Sequence, residues 1–351
     1  MKAERKIRGD FFGIHRVLDS KPTLPQAAVK LDNSLPIFPN EILIEVERLN
    51  IDAASFVQME QQTGRDTQKI AKVILQNLKS FGKQQNQITG SGGMLVGKVA
   101  QVGSRYRGLL KLKPGDRIAT LVSLTLTPLA LDRITRVDLK THQVEASGHA
   151  ILFESGIAAK IPGDIPEKVS MALFDVAGAP ALVHATVKKD QTLLVIGAGG
   201  KAGVLSCVAG RQKIGPQGRL WAIEPNPELA HELKKLKVCN QIWPVDATDP
   251  MAVRRMVEKA THGKLVDVVV NVASVPNTEV SALLSANPQG KVVFFSMATS
   301  FTKVTLGAEG IGSSAQLIFG NGYYPKHSDF VIKLFRTHPD LQKLFINRYA
   351  H

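Results

Sequence analysis

The sequence predicts an α/β protein of two domains, with a β-rich amino-terminal half and a doubly wound parallel sheet in the carboxyl-terminal half. The chain has 351 residues, and a single hydrophobic core rarely grows beyond about 250–300 residues. Short strand-like runs with Gly and Pro between them fill residues 1–165, whereas apolar runs alternate with helical segments in residues 166–351. One of these apolar runs leads directly into a glycine-rich loop. Together these observations favour two domains of different architecture.

Half-buried strands are predicted in the amino-terminal half, because apolar and polar side chains alternate there. The clearest alternation covers residues 41–47, and the turn at residues 113–117 leads into another strand. Apolar residues at helical spacing between Asp66 and Phe81 predict a helix that is inserted between strands. The further strands are predicted at 95–102, 118–122, 150–153 and 158–161.

The carboxyl-terminal half predicts a parallel sheet with helices on both faces, because its strand candidates are continuously apolar rather than alternating. Helices are predicted at 227–237 and 250–260, and a last one at 341–349. The strands are predicted at 192–196, 220–223, 241–245, 266–270, 292–295 and 317–319.

The glycine loop after the strand at 192–196 is the strongest local signal. It reads GAGGKAG and satisfies the pattern G-x-G-x-x-G/A between a strand and a helix. Glycines let the backbone approach a pyrophosphate, and the helix amino terminus supplies free N–H groups and a positive dipole. We therefore expect the loop to bind a dinucleotide through Gly197, Gly199, Gly200, Lys201, Ala202 and Gly203.

The next strand ends at Glu224, 27 residues after Gly197. A carboxylate there accepts hydrogen bonds from the ribose hydroxyls and repels a 2′-phosphate, which predicts NAD rather than NADP. The alternative is a solvent-exposed strand-end glutamate. Later strand ends complete the predicted cofactor site, with loop or cap chemistry as the equal alternative. They carry Asp246 and Ala247 near the adenine, and Asn271, Val272, Ser296 and Met297 near the nicotinamide.

The net charge of +14 does not predict a nucleic-acid partner. Residues 1–165 hold 23 basic and 16 acidic side chains, and the excess is the same in the second half. Nucleic-acid binding surfaces concentrate their basic residues instead. We find no signal peptide and no apolar stretch near the ~20 residues that span a bilayer. A cytoplasmic protein without membrane association is expected, and two cysteines fit a reducing compartment.

The order of these pieces resembles the medium-chain dehydrogenase/reductase superfamily. The turn at residues 113–117 after the strand with Gly97, and the runs at 267–271 and 290–293, are similar to that superfamily's motifs. The resemblance implies a GroES-like β domain followed by a Rossmann domain that binds NAD.

Longer strings resemble one family within this superfamily, the diamino-acid dehydrogenases of anaerobic lysine fermentation. The resemblance implies oxidative deamination of 3,5-diaminohexanoate at C3 to 5-amino-3-oxohexanoate, with release of ammonia and NADH. It also implies a homodimer or homotetramer. The strings lie at 89–94, 119–129, 175–181, 296–303, 307–310 and 320–323.

The chain departs from the zinc-dependent members of the superfamily. Asp52 lies close to the position of their first cysteine ligand, residues 90–93 replace their Gly-His-Glu region, and Ala177 replaces a later cysteine. Cys207 and Cys239 both lie in the second half. No metal site is therefore predicted, and the chemistry falls to side chains, water and NAD. The superfamily's final return of the chain to the first domain is also expected to be missing.

Oxidation of an ammonium-bearing carbon needs a general base and groups that hold the remaining charges of the substrate. The candidate bases are Glu154 at a strand end, Asp175 within an apolar helix, and Asp52, and each has an ordinary structural role as its alternative. Lys303 is the candidate for the substrate carboxylate. Ser123, Thr125 and Thr127 alternate along the predicted strand and are expected to line the substrate pocket.

Two other functions remain open at the level of the sequence. One is a zinc-independent quinone or enoyl reductase, which would not need carboxylates for ammonium groups. The other is a nicotinamide-binding sensor or structural protein, which would keep the glycine loop without turnover. The long strings favour the diamino-acid dehydrogenase over both.

Overall fold

A computed structural model describes residues 4–86, 90 and 92–350, without the side chains of residues 53 and 54. The chain divides into two compact units, Met1–Pro162 and Gly163–His351. The boundary lies three residues before the one that the sequence predicts. Thr89 and Ser91, which belong to one of the resemblance strings, lie outside the described residues.

The first unit is built on a six-stranded antiparallel sheet with the strand order β4-β5-β1-β2-β3-β6. Apolar side chains from one face of β1 are buried together with those of the helices that follow it, and Leu43 on the other face packs with Ile37 and Ile151. The elements are β1 (Ile42–Asn50), α1 (Ala53–Thr63), α2 (Thr67–Phe81), β2 (Met94–Val102), β3 (Arg117–Thr120), β4 (Leu129–Asp138), β5 (Gln143–Leu152) and β6 (Ala158–Lys160).

Most of the predicted elements of this unit are present, but β4 was missed and β5 was predicted only in part. The helix predicted between Asp66 and Phe81 is α2, and Asp66 caps it by accepting hydrogen bonds from two backbone N–H groups of its first turn. No strand was predicted at β4, because its outward face is polar and largely exposed. β5 was predicted only at its buried carboxyl end, and its true start lies seven residues earlier.

The second unit is built on a six-stranded parallel sheet with the order β12-β11-β10-β7-β8-β9. The predicted doubly wound architecture is confirmed. Its elements are α3 (Glu167–Phe174), α4 (Gly178–Thr186), β7 (Thr192–Ile196), α5 (Lys201–Ile214), β8 (Arg219–Ile223), α6 (Pro227–Lys235), β9 (Gln241–Trp243), α7 (Pro250–Thr261), β10 (Val266–Asn271), α8 (Glu279–Ser285), β11 (Ala286–Phe294), α9 (Phe301–Gly310), β12 (Gln316–Phe319), α10 (His327–Arg336) and α11 (Pro339–Tyr349).

The order of the strands places a topological switch at β7. The chain proceeds from β7 to β8 and β9 on one side, then returns to β10 on the other side and continues to β11 and β12. Ligands of open α/β sheets bind at the carboxyl ends of the strands at such a switch. The glycine loop lies at the carboxyl end of β7. After β12, the helices α10 and α11 pack on α3 within the same unit.

Within the part of the chain that the structure describes, no single helix is long and apolar enough to span a membrane. The helices α3 and α4 are together long and apolar enough, but the chain bends by 48° between them.

Candidate functional site

Two glycines of the loop leave no room for a side chain. Gly197 has φ +79°, and a Cβ there would lie 2.6 Å from the Cα of Ala273. A Cβ on Gly199 would lie 2.6 Å from a carboxylate oxygen of Glu224. Both glycines are therefore required by the close approach of β7 to the turns that follow β10 and β8. The loop is a backbone-lined cradle, as the pattern predicts.

The pattern places the close approach between the loop and its helix at Ala202, but the structure has it one residue later, at Gly203. A Cβ on Gly203 would lie 2.2 Å from the carbonyl oxygen of Gly197, whereas the alanine of the pattern, Ala202, is half-buried. Gly200 is the N-cap residue of α5 and offers no side chain to the first-turn N–H groups. A helix amino terminus of this kind fits the pyrophosphate of a dinucleotide.

Glu224 lies just beyond β8, where a ribose-binding carboxylate is predicted. It is 6% exposed, so the alternative of a solvent-exposed glutamate is wrong. Its Oε2 accepts a hydrogen bond from the backbone N–H of Gly199 at 2.8 Å, and its Oε1 accepts one from the N–H of Asn226 at 3.0 Å. A carboxylate has about four acceptor positions. The two that remain fit the ribose hydroxyls of a dinucleotide.

Arg348 of α11 is a contact of the glycine loop that the sequence analysis missed. Its guanidinium donates a hydrogen bond to the carbonyl of Gly199 at 2.8 Å and pairs with Glu232 of α6. The peptide groups on both sides of Gly199 are therefore fixed, its N–H by Glu224 and its carbonyl by Arg348. No local pattern signals this contact, because 149 residues separate its two partners.

The other predicted strand-end residues lie at the carboxyl edge of the sheet but differ in exposure. Asp246 accepts a hydrogen bond from the N–H of Thr248, which holds the pKa of its carboxyl below the usual value. Asn271 is buried, and its amide donates to Thr278 while its oxygen accepts from the N–H of Ala273. Of the remaining predicted contacts, Ala247 and Val272 are buried, Ser296 is half-buried and Met297 is almost fully exposed.

Asp175 does not lie inside a helix, which corrects the sequence analysis. It is the C-cap residue of α3, at the break between α3 and α4, and it is exposed. Its Oδ2 accepts a hydrogen bond from the ammonium of Lys201, the first residue of α5. The side chains of Asp175 and Lys201 are 30% and 35% exposed. A carboxylate–ammonium pair therefore stands at the edge of the glycine loop.

The position of this pair along the sheet follows from the packing of α4. A Cβ on Gly178 would lie 2.2 Å from the carbonyl oxygen of Gly322, which follows β12. Gly178 is three residues from Asp175, so the α3–α4 break lies on the β10–β12 side of the glycine loop. Glu224 lies on the opposite, β8 side. Asp175 and Glu224 therefore lie on opposite sides of the glycine loop.

Two of the candidate carboxylates lie in the first unit, and their surroundings differ. Asp52 is half-buried at the amino terminus of α1, and its Oδ2 accepts a hydrogen bond from the N–H of Gly92 at 2.9 Å. Glu154 is 2% exposed. Its Oε2 accepts from Arg8 and Asn40, and its Oε1 from the N–H of Arg107. All of these donors belong to the first unit, and the role of Glu154 as a base stays a prediction.

Ser123, Thr125 and Thr127 do not alternate along a strand, and that prediction is wrong. β3 ends at Thr120, and a 3₁₀ turn covers Leu124–Leu126. The hydroxyl of Ser123 caps this turn by accepting from the N–H of Thr125, and the hydroxyl of Thr127 donates to the carbonyl of Ser123. Lys303 lies on α9, where its exposed ammonium contacts the side-chain oxygen of Asn277.

The metal-ligating residue types are dispersed. Among the residues that the structure describes, no group of three or more His, Cys, Asp or Glu side chains is placed to hold a metal ion. Cys207 is buried in α5 and Cys239 lies before β9. Burial raises the pKa of the Cys207 thiol, and the adjacent thiol of Cys239 raises it further.

The two units and the glycine loop form a fold that solved dehydrogenases share. An alcohol dehydrogenase from Thermotoga maritima has the same fold, with a TM-score of 0.55, 16% identity and coverage of 89% of this chain and 85% of that one. At this identity the likeness concerns the fold alone. It confirms the predicted combination of a GroES-like β domain and a Rossmann domain.

The chain belongs to the L-erythro-3,5-diaminohexanoate dehydrogenase family. It is 43% identical to the L-erythro-3,5-diaminohexanoate dehydrogenase of Acetoanaerobium sticklandii over 98% of this chain and 100% of that protein. The enzyme of the same name from Fusobacterium nucleatum is 43% identical over 97% of this chain and 99% of its own length. Residues 15–162 match the model of the L-erythro-3,5-diaminohexanoate dehydrogenase N-terminal domain. The resemblance inferred from the sequence strings is confirmed.

Proposed function

We propose that the protein catalyses the NAD-dependent oxidative deamination of L-erythro-3,5-diaminohexanoate to 5-amino-3-oxohexanoate, ammonia and NADH. The observation that carries the proposal is the 43% identity to relatives of that name over essentially the whole of both chains. The glycine cradle and the polar pair beside it, formed by Asp175 and Lys201, supply what the reaction requires of the second unit. These are a site for the cofactor and titratable groups next to it.

NAD rather than NADP is the proposed cofactor. When bound, NAD would supply the acceptor for the hydride from the carbon that bears the reacting amine. The buried carboxylate of Glu224 supports the choice, because its remaining acceptor positions suit two hydroxyl groups and its charge repels a phosphate. The strand-end residues of β9, β10 and β11 are proposed to line the adenine and nicotinamide parts of the same site.

The chemistry requires a base for the reacting ammonium and a water molecule that hydrolyses the imine. Asp175, Asp52 and Glu154 are the proposed candidates for the base, and the side chain of Glu154 is enclosed by Arg8, Asn40 and Arg107. Lys303, with Ser123, Thr125 and Thr127, is proposed for binding the substrate. The exposed ammonium of Lys303 suits the substrate carboxylate.

A zinc-independent quinone or enoyl reductase is the second candidate, and a non-catalytic nicotinamide-binding protein is the third. Neither is favoured by a relative at comparable identity and coverage. A reductase of an activated alkene would also not require carboxylates that bind ammonium groups. Sequence and site together therefore favour the diamino-acid dehydrogenase.

The test is a direct assay of the purified chain. It is mixed with L-erythro-3,5-diaminohexanoate and either NAD or NADP, and NADH or NADPH absorbance and released ammonia are followed together. We expect equal amounts of reduced cofactor and ammonia, with kcat/KM for NAD at least tenfold above that for NADP. Binding of NADH without any turnover would favour the non-catalytic alternative, and preference for NADP would contradict the assignment of Glu224.

A homodimer or homotetramer is proposed as the assembly. β12 is the edge strand of the parallel sheet, so one side of it carries unpaired backbone groups. Met297, Phe301 and Phe319 lie near this edge and are 97%, 65% and 43% exposed. An apolar edge of this kind suits pairing with a second copy of the chain about a two-fold axis.

A further inference from the structure

We propose that the carboxylate of Asp175 is the general base of the deamination and that Lys201 is the residue that positions it. This assignment rests on the proposed function and deepens it, because the chain offers three candidate carboxylates. Asp175 touches the substrate in this scheme and is catalytic. Lys201 acts through Asp175, whose carboxylate its ammonium contacts.

The first support is the position of the pair relative to the cofactor cradle. Lys201 opens α5, whose amino terminus faces the predicted pyrophosphate, and its ammonium holds Oδ2 of Asp175. The close approach of Gly178 to the carbonyl of Gly322 places the α3–α4 break on the β10–β12 side. The nicotinamide half lies on that side, because Glu224 marks the adenosine half on the other. The base must lie there, since the carbon that loses the hydride also bears the amine.

The second support is the difference in hydrogen bonding and exposure between the carboxylates of Glu154 and Asp175. Both carboxylate oxygens of Glu154 accept hydrogen bonds, and its side chain is only 1% exposed. The side chain of Asp175 is 30% exposed, and the ammonium of Lys201 contacts only its Oδ2. Oδ1 accepts no hydrogen bond from the described residues and is open to a ligand. The partial exposure also lets the group exchange its proton with water between steps, which the reaction needs more than once.

The proton transfers balance with one carboxylate. Oδ1 of Asp175 takes a proton from the C3 ammonium and releases it to water, and C3 then loses hydride to become an iminium. The carboxylate takes a proton from the water that adds to C3, which forms the carbinolamine. It returns this proton to nitrogen, the C–N bond breaks and ammonia leaves. Loss of the hydroxyl proton to solvent gives the ketone, so the sum releases NADH, ammonia and two protons.

The experiment compares Asp175→Asn, Asp175→Ala and the wild-type chain in the assay described above, with NADH affinity measured separately by fluorescence titration. We expect kcat to fall by about 10²–10⁴-fold in both variants, with the Kd for NADH within threefold of wild type. Sodium formate should raise the kcat of Asp175→Ala at least tenfold and leave the wild-type rate unchanged, because a small acid can occupy the vacated, partly exposed position. A merely structural role would not respond to formate.

Lys201 is tested by separating turnover from cofactor binding. In Lys201→Met we expect kcat to fall by about 10–10²-fold with the Kd for NADH within threefold of wild type, because the carboxylate of Asp175 loses the ammonium that positions it. Lys201→Arg should keep most of the wild-type kcat. Glu258→Gln breaks a surface ion pair with Arg254 on α7 and serves as the matched control, for which no change is expected.

Three results would overturn the assignment. They are a kcat within threefold of wild type in Asp175→Asn, a loss of NADH binding in proportion to the loss of turnover, and an Asp175→Ala variant that formate does not rescue. In each of these cases the wild-type chain still deaminates the substrate, and the proposed function stands. A wild-type chain without turnover would instead overturn the proposed function and this assignment with it.

Discussion

At the scale of single residues, the glycine loop contains glycines that the fold requires, such as Gly197, and one that it does not, Gly200. Gly197 has φ +79°, and its Cβ would lie 2.6 Å from the Cα of Ala273, a backbone atom that cannot swing aside. Gly200 has φ −71°, and its Cβ would meet nothing closer than the carbonyl oxygen of Gly197 at 3.8 Å. The two positions form a natural comparison.

We predict that Gly197→Ala lowers the free energy of unfolding of the cofactor-free protein by about 2–4 kcal/mol, from strained backbone and a displaced neighbour. Gly200→Ala should be neutral or stabilise by up to about 1 kcal/mol, because alanine adopts the same conformation and reduces the freedom of the unfolded chain. Urea unfolding of both variants measures the difference. Equal stabilities would contradict the argument from the close approach to Ala273.

The same scale shows which site residues a sequence can reveal. The glycines and Glu224 were predicted because a short pattern and a fixed distance along the chain encode their roles. The pairing of Asp175 with Lys201 was not predicted, although both residues were singled out, because the contact joins the ends of two helices that only the tertiary structure brings together. Arg348 was missed for the same reason. Local rules identify residue types in a site, whereas the partners of each side chain depend on packing.

At the scale of elements, the errors of prediction follow from exposure and capping. β4 was missed because its residues are mostly exposed or half-buried, so the apolar period that marks a strand is weak. The segment from Ser123 to Thr127 has a strand-like period, yet the hydroxyl of Ser123 captures the N–H of Thr125 and closes a 3₁₀ turn instead. Competition of this kind from serine and threonine is a known weakness of pattern reading. The buried strands of the second unit had no such competitor and were predicted well.

The junction after α2 contains a buried lysine that makes stability depend on pH. Lys83 is fully buried, and its ammonium donates to the carbonyls of Pro25 and Gln26 at 3.0 and 3.2 Å. Burial lowers the pKa of Lys83 to about 8, against an opposing effect of Asp19. The unfolded chain keeps the ordinary value near 10.5, so between these two values the unfolded state binds more protons than the folded state.

We therefore predict that the free energy of unfolding of the wild-type protein rises between pH 8 and 10.5, relative to that of Lys83→Met, and that the difference is constant below pH 8. Urea midpoints measured across this range for both proteins provide the test. Lys189→Met removes an exposed lysine and is the control, which should run parallel to wild type. Parallel curves for Lys83→Met would show that Lys83 titrates normally.

At the scale of the whole molecule, the chain combines an even positive charge with a local apolar edge. The net charge of +14 is spread equally over the two halves, so it has no direction that would guide a partner. The edge of the parallel sheet is different, because Phe301 and Phe319 contact each other there with ring centroids 5.4 Å apart while both stay exposed. An exposed apolar patch beside an unpaired strand indicates an interface.

We predict that the wild-type protein is a dimer or tetramer and that Phe319→Asp combined with Phe301→Asp yields monomers, because two carboxylates on each copy would face each other across the two-fold axis. Light scattering coupled to size-exclusion chromatography measures the mass. Ile7→Asp changes an exposed apolar residue of the first unit and should leave the mass unchanged. A wild-type monomer would contradict the proposed assembly, and a double variant that still forms the oligomer would place the interface elsewhere. NADH binding by the monomeric variant would show in addition that the cofactor site is complete within one copy.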